Sequence, residues 1–289
     1  MKTIRFAWAS HASTALFVLL WGSGAIFSRW GLDHGSAFAL LTLRFALAFI
    51  AALGIALWCR AGVPRGERGP ALLTGLVMVG LYSACYFLAL ENGVTPGVLA
   101  TLLGAQPILT LFAIERHFAP LRLLGLAVAL GGLACIVLQG TVMTRFPLTG
   151  MLFALAALLA VTFGAILQKR TRHRPEAVLP LHYGVSLLLC AATLPFQPFD
   201  VEATAGFLIP VLWLALVISV AAQLLLYRLI QAGNLVNVTS LFYLVPVVTA
   251  AMDYVFLGNR MSSLSLVGMA GILIGLALVF GTRNKAGPR

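Results

Sequence analysis

Apolar residues run along this chain in long blocks parted by short polar breaks. They show neither the alternation of a half-buried strand nor the one-sided stripe of a surface helix. A helix needs about 20 such residues to cross roughly 30 Å of hydrocarbon. On that measure the pattern predicts ten membrane-spanning helices, over 11–31, 36–59, 70–90, 95–114, 120–139, 148–169, 177–195, 205–230, 235–256 and 262–281. The breaks ENGVTP (91–96) and QAGN (231–234) are short and carry Gly, so they predict tight antiparallel hairpins.

Composition agrees with an all-α integral membrane protein. With 61% hydrophobic residues, 9% charged and a mean hydropathy of +1.01, there is too little polar surface to cover a water-soluble globule. A net charge of +11 would suit nucleic acid in a soluble protein, but here the cations sit between apolar runs, so no nucleic-acid partner is expected. Their placement instead gives an orientation. Of 19 Lys and Arg, 15 fall on one side when the N-terminus is cytoplasmic, leaving Arg29, Arg44, Arg145 and Arg260 on the other. Both termini are therefore expected in the cytoplasm of a bacterial-type inner membrane, with the densest basic loop, QKRTRHRPE (168–176), on the same side. The N-terminal stretch has the basic-then-apolar shape of a signal peptide without a small-x-small cleavage site, and is read as a retained first span. Cys59, Cys85, Cys135 and Cys190 stand singly in apolar segments, as packing residues do; no metal or cofactor is implied.

The chain also repeats itself. LLWGSGAIFSRW (19–30) and VTFGAILQKR (161–170) share Gly-Ala-Ile and a following cation, Arg29 or Lys169, at an offset of 140. GLAVALGGLA (125–134) aligns with GMAGILIGLA (268–277), and TLLGAQPILT (101–110) with SLFYLVPVVT (240–249), in the same order. Five spans repeated by five have opposite directions, because five is odd. This predicts two inverted five-helix repeats, 1–145 and 146–289, around a central cavity.

These residues resemble a known family. LFYLVPVVTAAMDYVFLGNRMSSLSLVGMAGILIGLALV (241–279) is similar to the second EamA-type repeat of the drug/metabolite transporter superfamily, and LLWGSGAIFSRW to that repeat's first helix. In that helix Trp-Gly precedes a small residue, here Ser23, and a terminal cation. Asn259 departs from the pattern, standing where the family's turn has Glu. Within the superfamily the chain looks nearest the YddG-type exporters of aromatic amino acids. The resemblance implies a cavity built by spans one to four and six to nine, with five and ten as outer supports.

Polar groups at mid-span mark either such a cavity or a helix contact. In the first span Thr14, Trp21 and Ser28 share a stripe, with Gly22 and Gly24 beside Trp21; a packing plug and a substrate-facing ring both fit. Tyr82 and Tyr86 lie on one face with Ser83 between them, and Gln223, Tyr227 and Gln231 repeat at four-residue spacing in the eighth span. Gln106, Tyr243 and Ser240 are further candidates, and His182 and Tyr183 fit an interfacial position as well as the site. Pro107 and Pro246 inside the fourth and ninth spans predict paired kinks, serving as hinge or packing feature, with Gly22 and Gly24 as further gating candidates. Ionisable groups are few. Arg44 and Arg228 read as structural cations at helix ends, and Glu115 and Asp253 also fall near ends.

The expected function is a secondary transporter exporting small amphipathic metabolites by alternating access, with neutral aromatic or large apolar amino acids as the solutes. An exporter of drugs or other metabolites on the same fold is the alternative. An integral membrane lipid-modifying enzyme would need HExxH, a Ser-His set or a His-Asp pair, and no such motif is present; a GxxxxGK[ST] phosphate loop is lacking too. The expected partners are a small-molecule substrate and the lipid bilayer, with the protein a monomer and a dimer left open.

Overall fold

The structure is a computed structural model that describes residues 2–94, 99, 102–114, 119–141, 148–245, 248 and 263–281. Its helices are α1 (Lys2–Leu32), α2 (Ala37–Trp58), α3 (Arg68–Gly75, Leu76–Leu81 and Tyr82–Glu91 without a break), α4 (Gln106–Ile114) and α5 (Pro120–Thr141). They continue as α6 (Leu148–Arg170), α7 (Pro175–Thr193), α8 (Ala205–Leu212, Trp213–Ala222 and Gln223–Ala232 without a break), α9 (Leu235–Ser240) and α10 (Ser263–Gly281). Six described helices are long and apolar enough to span a membrane, and shorter apolar stretches lie at Pro120–Cys135 and Leu266–Gly281. Large apolar side chains cover the outside: Leu57, Ile50, Leu188, Phe163 and Val267 are all more than half exposed, as a lipid-facing surface requires.

Packing follows a two-fold exchange of α1–α5 with α6–α10. The α2–α7, α4–α9 and α5–α10 contacts each map onto themselves, while α1–α8 maps onto α3–α6 and α2–α8 onto α3–α7. The halves are inverted. Glu91 at the end of α3 accepts from Ala37 N at 2.9 Å, which places it beside the end of α1, and Asn92 bonds Thr149 at the start of α6. Thus α6 begins where α1 finishes.

The symmetry reaches backbone detail. Residues Leu76–Leu81 in α3 and Trp213–Ala222 in α8 are both π-helical, and an offset of 140 carries the first segment inside the second. A π turn widens the helix by one residue and loosens its hydrogen bonding, a feature frequent at functional sites. The α5–α10 pair shows the opposite behaviour. A methyl added at Gly125 would lie 2.7 Å from the Gly275 carbonyl oxygen, so the two helices touch through their backbones as small-residue interfaces do.

The fourth helix corrects one expectation. Its break falls at Gly104–Ala105, and Pro107 occupies the first turn of α4, where its missing N–H forfeits no helical bond. Ile108 N and Leu109 N both donate to Ala105 O at 3.1 Å, closing that turn. In α9 the helix tightens to a 3-10 turn at Leu241–Tyr243, near the repeat-related position. Pro246, Glu115, Asp253, Asn259 and Arg260 lie outside the described residues.

Candidate functional site

A cavity opens at the interface of the halves, walled by α1, α3, α4, α6, α8 and α9, with Arg44 of α2 and Tyr183 of α7 added from behind. Two aromatic pairs line it. Trp21 packs edge-on to Phe242 at 5.3 Å, and Tyr82 and Tyr86 pair at 5.8 Å on successive turns of α3. Four-residue spacing places both Tyr rings in the lining, with Ser83 and Phe87 beside them. The polar groups are Gln106, Gln223, Ser28, Thr239 and the guanidinium of Arg44. Gln106 reaches Val161 O at only 3.5 Å, a weak bond that leaves its amide available to a solute.

Of the residues singled out from sequence, the cavity brings together Trp21, Gly24, Tyr82, Tyr86, Gln106 and Gln223. Others sit elsewhere. Ser23 donates to Leu20 O at 2.6 Å and accepts from Trp213 Nε1 at 2.9 Å, tying α1 to α8 outside the lining. Tyr227 is fully buried, its hydroxyl 2.7 Å from His182 Nδ1, so α7 intercepts the stripe that Gln223 begins. Four-residue spacing, which keeps Tyr82 and Tyr86 on one face, does not keep Tyr227 in the lining, because its ring is buried against His182 of α7. Tyr243 packs with Leu111, Leu126 and Ile272 among α4, α5 and α10, and its hydroxyl has no partner among the described residues. Gly22 is buried and does not line the cavity, and neither does Pro107. Gln231, expected in the turn, is instead within the last helical turn of α8, from which its Nε2 donates to His173 O at 2.7 Å.

Two cations divide differently from expectation. Arg228 pairs with Glu176 at the helix end, in the structural role its position suggested. Arg44 does not lie at a helix end. It stands seven residues into α2, about 10 Å along at 1.5 Å per residue, and faces the cavity. Position near the start of an apolar run led to the wrong assignment; nothing in TLRFA distinguishes a cavity arginine from an interfacial one. Tyr183 of the lining donates to Ser219 O at 2.6 Å, which fixes its ring against α8.

Among the described residues no cluster of His, Cys, Asp or Glu is arranged to hold a metal. Every described carboxylate, Asp33, Glu67, Glu91, Glu176, Asp200 and Glu202, sits at a helix end or in a loop, outside the cavity lining.

Inverted helical halves with lipid-facing exteriors and, between them, a mainly apolar cavity with a few polar groups define a multi-pass membrane transporter. This chain belongs to the EamA-like transporter family, whose profile matches it twice, over residues 10–138 and 148–281. It is 27% identical to a probable amino-acid metabolite efflux pump of Salmonella typhimurium (strain LT2), over 93% of this chain and 94% of that protein. A protein of the same description from Escherichia coli (strain K12) is 26% identical, again over 93% and 94%. The uncharacterized transporter YvbV of Bacillus subtilis (strain 168) is 22% identical over 94% of this chain and 91% of its own. A solved crystal structure shares the fold, with a TM-score of 0.79 at 18% identity, covering 95% of this chain and 98% of that one.

Proposed function

We propose that the protein is a secondary exporter of neutral amino acids with aromatic or large apolar side chains, working by alternating access of its two halves. The observation that carries this reading is the mixed wall of the cavity. Trp21, Tyr82, Tyr86 and Phe242 offer ring faces, while Gln106 and Gln223 offer hydrogen bonds to a polar end. Two relatives described as probable amino-acid metabolite efflux pumps support the solute class.

The proposed setting is the bacterial inner membrane with both termini cytoplasmic. Arg60, Arg65, Arg68, Arg122, Lys169, Arg170, Arg172, Arg174 and Arg228 gather at one end of the bundle, whereas the opposite end carries Arg29 among Asp33, Glu91, Asp200 and Glu202. Retention of Lys and Arg in the cytoplasm orients such a bundle. The break at Gly104–Ala105 gives α4 a place to bend as the halves rock.

Uptake of labelled phenylalanine and tryptophan into liposomes containing purified protein tests the reading. Transport of both, reduced about tenfold or more by Tyr82→Ala and Gln223→Ala through lost stacking and hydrogen bonding, is expected. Movement of a cationic drug but of neither amino acid would overturn the solute class. Labelling of Thr171→Cys by an impermeant thiol reagent in intact cells would overturn the orientation.

A further inference from the structure

The lining contains one cation and, among the described residues, no anion to match it. Arg44 Nε donates to Ser219 Oγ at 2.8 Å, and Ser219 is itself buried in the π-helical stretch of α8. That bond fixes the plane of the guanidinium. It uses one of the five donors, no hydrogen bond from the two terminal nitrogens to a described group is found, and Arg44 is part of the cavity lining. Arg44 makes no ion pair with any described residue, and its guanidinium carbon lies 5.8 Å from the Phe45 ring centroid. A cation within a membrane bundle is costly unless paired, and such residues mark substrate paths.

Tyr82, Tyr86 and Tyr183 line the same cavity as this fork, so an apolar group can rest on the rings while an acid meets the guanidinium. The site is single. The repeat-related position of Arg44 is Gly184 in α7, where an added methyl would meet only the Phe49 ring, nearest at 3.3 Å.

We propose that Arg44 is the carboxylate anchor of the cavity, its two terminal nitrogens gripping the solute's carboxylate end-on while Ser219 holds the guanidinium in plane. The proposal rests on the amino-acid reading above and sharpens it. A carboxylate is required, an ammonium group alone is repelled, and a cationic amphiphile without an acid is rejected. A planar fork matches a carboxylate in two parallel charge-assisted bonds, which a lysine cannot reproduce.

The test is competition against labelled phenylalanine exchange in liposomes by 3-phenylpropionate, phenylalaninamide and phenethylamine. For the wild-type protein 3-phenylpropionate should compete at least about tenfold better than either amine, because a site built to bond one polar group rejects analogues lacking it. Arg44→Gln should abolish that preference, Arg44→Lys should weaken it, and Ser219→Ala should reduce it while leaving the cation in place. Retention of the acid preference in Arg44→Gln, or equal competition by acid and amide in the wild-type protein, overturns the anchor. If phenylalanine does not move at all, the aromatic amino-acid reading fails. The anchor is then judged separately, by thermal stabilisation of the detergent-purified protein. Stabilisation by 3-phenylpropionate and not by its amide, lost in Arg44→Gln, upholds it, and equal stabilisation by both rejects it.

Discussion

Gly164 on α6 and Gly24 on α1 occupy the same place in the two repeats, yet they face their partners differently. A methyl at Gly164 would sit 2.5 Å from Met78 Cβ of α3, a collision. At Gly24 the same methyl would rest 3.7 Å from Ile218 of α8, an ordinary contact. Met78 and Ile218 are themselves related by the offset of 140. The cations that follow diverge as well. Lys169 Nζ donates to Ile230 O at 2.6 Å, Gln231 O at 3.0 Å and Gly233 O at 2.6 Å, so α6 clasps the end of α8. Arg29 only pairs with Asp33, just past the end of its own helix, at 2.7 Å.

The reason lies in how each helix ends. At the end of α3, Gly93 takes φ 83 and Val94 N turns back to Ala89 O at 3.0 Å, so the terminal carbonyls are met by the chain itself. At the end of α8, Gly233 stays extended at φ −105, and the orphan carbonyls go to Lys169 instead. One end is therefore finished by backbone and the other by a flexible side chain from a neighbouring helix. Repeat-related segments thus make unequal contacts, the kind of asymmetry that the proposed alternating access would use.

Gly164→Ala is the strongest way to sharpen this comparison. Overpacking against Met78 should lower stability by about 1–3 kcal/mol, seen in the thermal unfolding of detergent-purified protein. Gly24→Ala should be neutral or gain up to about 1 kcal/mol from helix propensity. Equal effects of the two changes would break the account of unequal packing.

Lys169→Met should come next. It removes three bonds to helix-end carbonyls at a half-exposed site, with an expected loss of about 1 kcal/mol and an altered transport rate. Arg29→Met removes one exposed pair and should change stability by less than about 0.5 kcal/mol. A larger effect at Arg29 than at Lys169 would reverse the assignment of which cation acts as a clasp.

Much of this was legible in the sequence. The apolar blocks locate most helices to within a few residues, since hydrocarbon thickness sets their length: α2 at Ala37–Trp58 matches 36–59 and α6 at Leu148–Arg170 matches 148–169, whereas α1 starts at Lys2, nine residues before the expected 11. The small residues of α5 and α10 announced backbone contact, and the four-residue spacing of Tyr82 and Tyr86 announced a shared face. The π-helical stretches were not legible, because widening a helix by one residue leaves no mark in an all-apolar run. Nor was Arg44, and for Tyr183 the sequence left the site and an interfacial position equally open. Which face of a helix meets a cavity depends on its neighbours, and α2 and α7, packed against each other and against α8 and α3, each add one residue to the lining. Tyr227 and Tyr243 failed in the converse way, each being claimed by His182 or by the α4–α5–α10 core before it could face the cavity.

Spin-label distances across the two repeat-related gaps test the central claim of exchange between unequal states most directly. Labels at Trp30 and Asn92 report the α1–α3 end, and labels at Arg170 and Ala232, each 140 residues further on, report the α6–α8 end. In liposomes, saturating phenylalanine should redistribute both, one distance lengthening as the other shortens. Two single, unchanged distances, or two that move in the same direction, would contradict it.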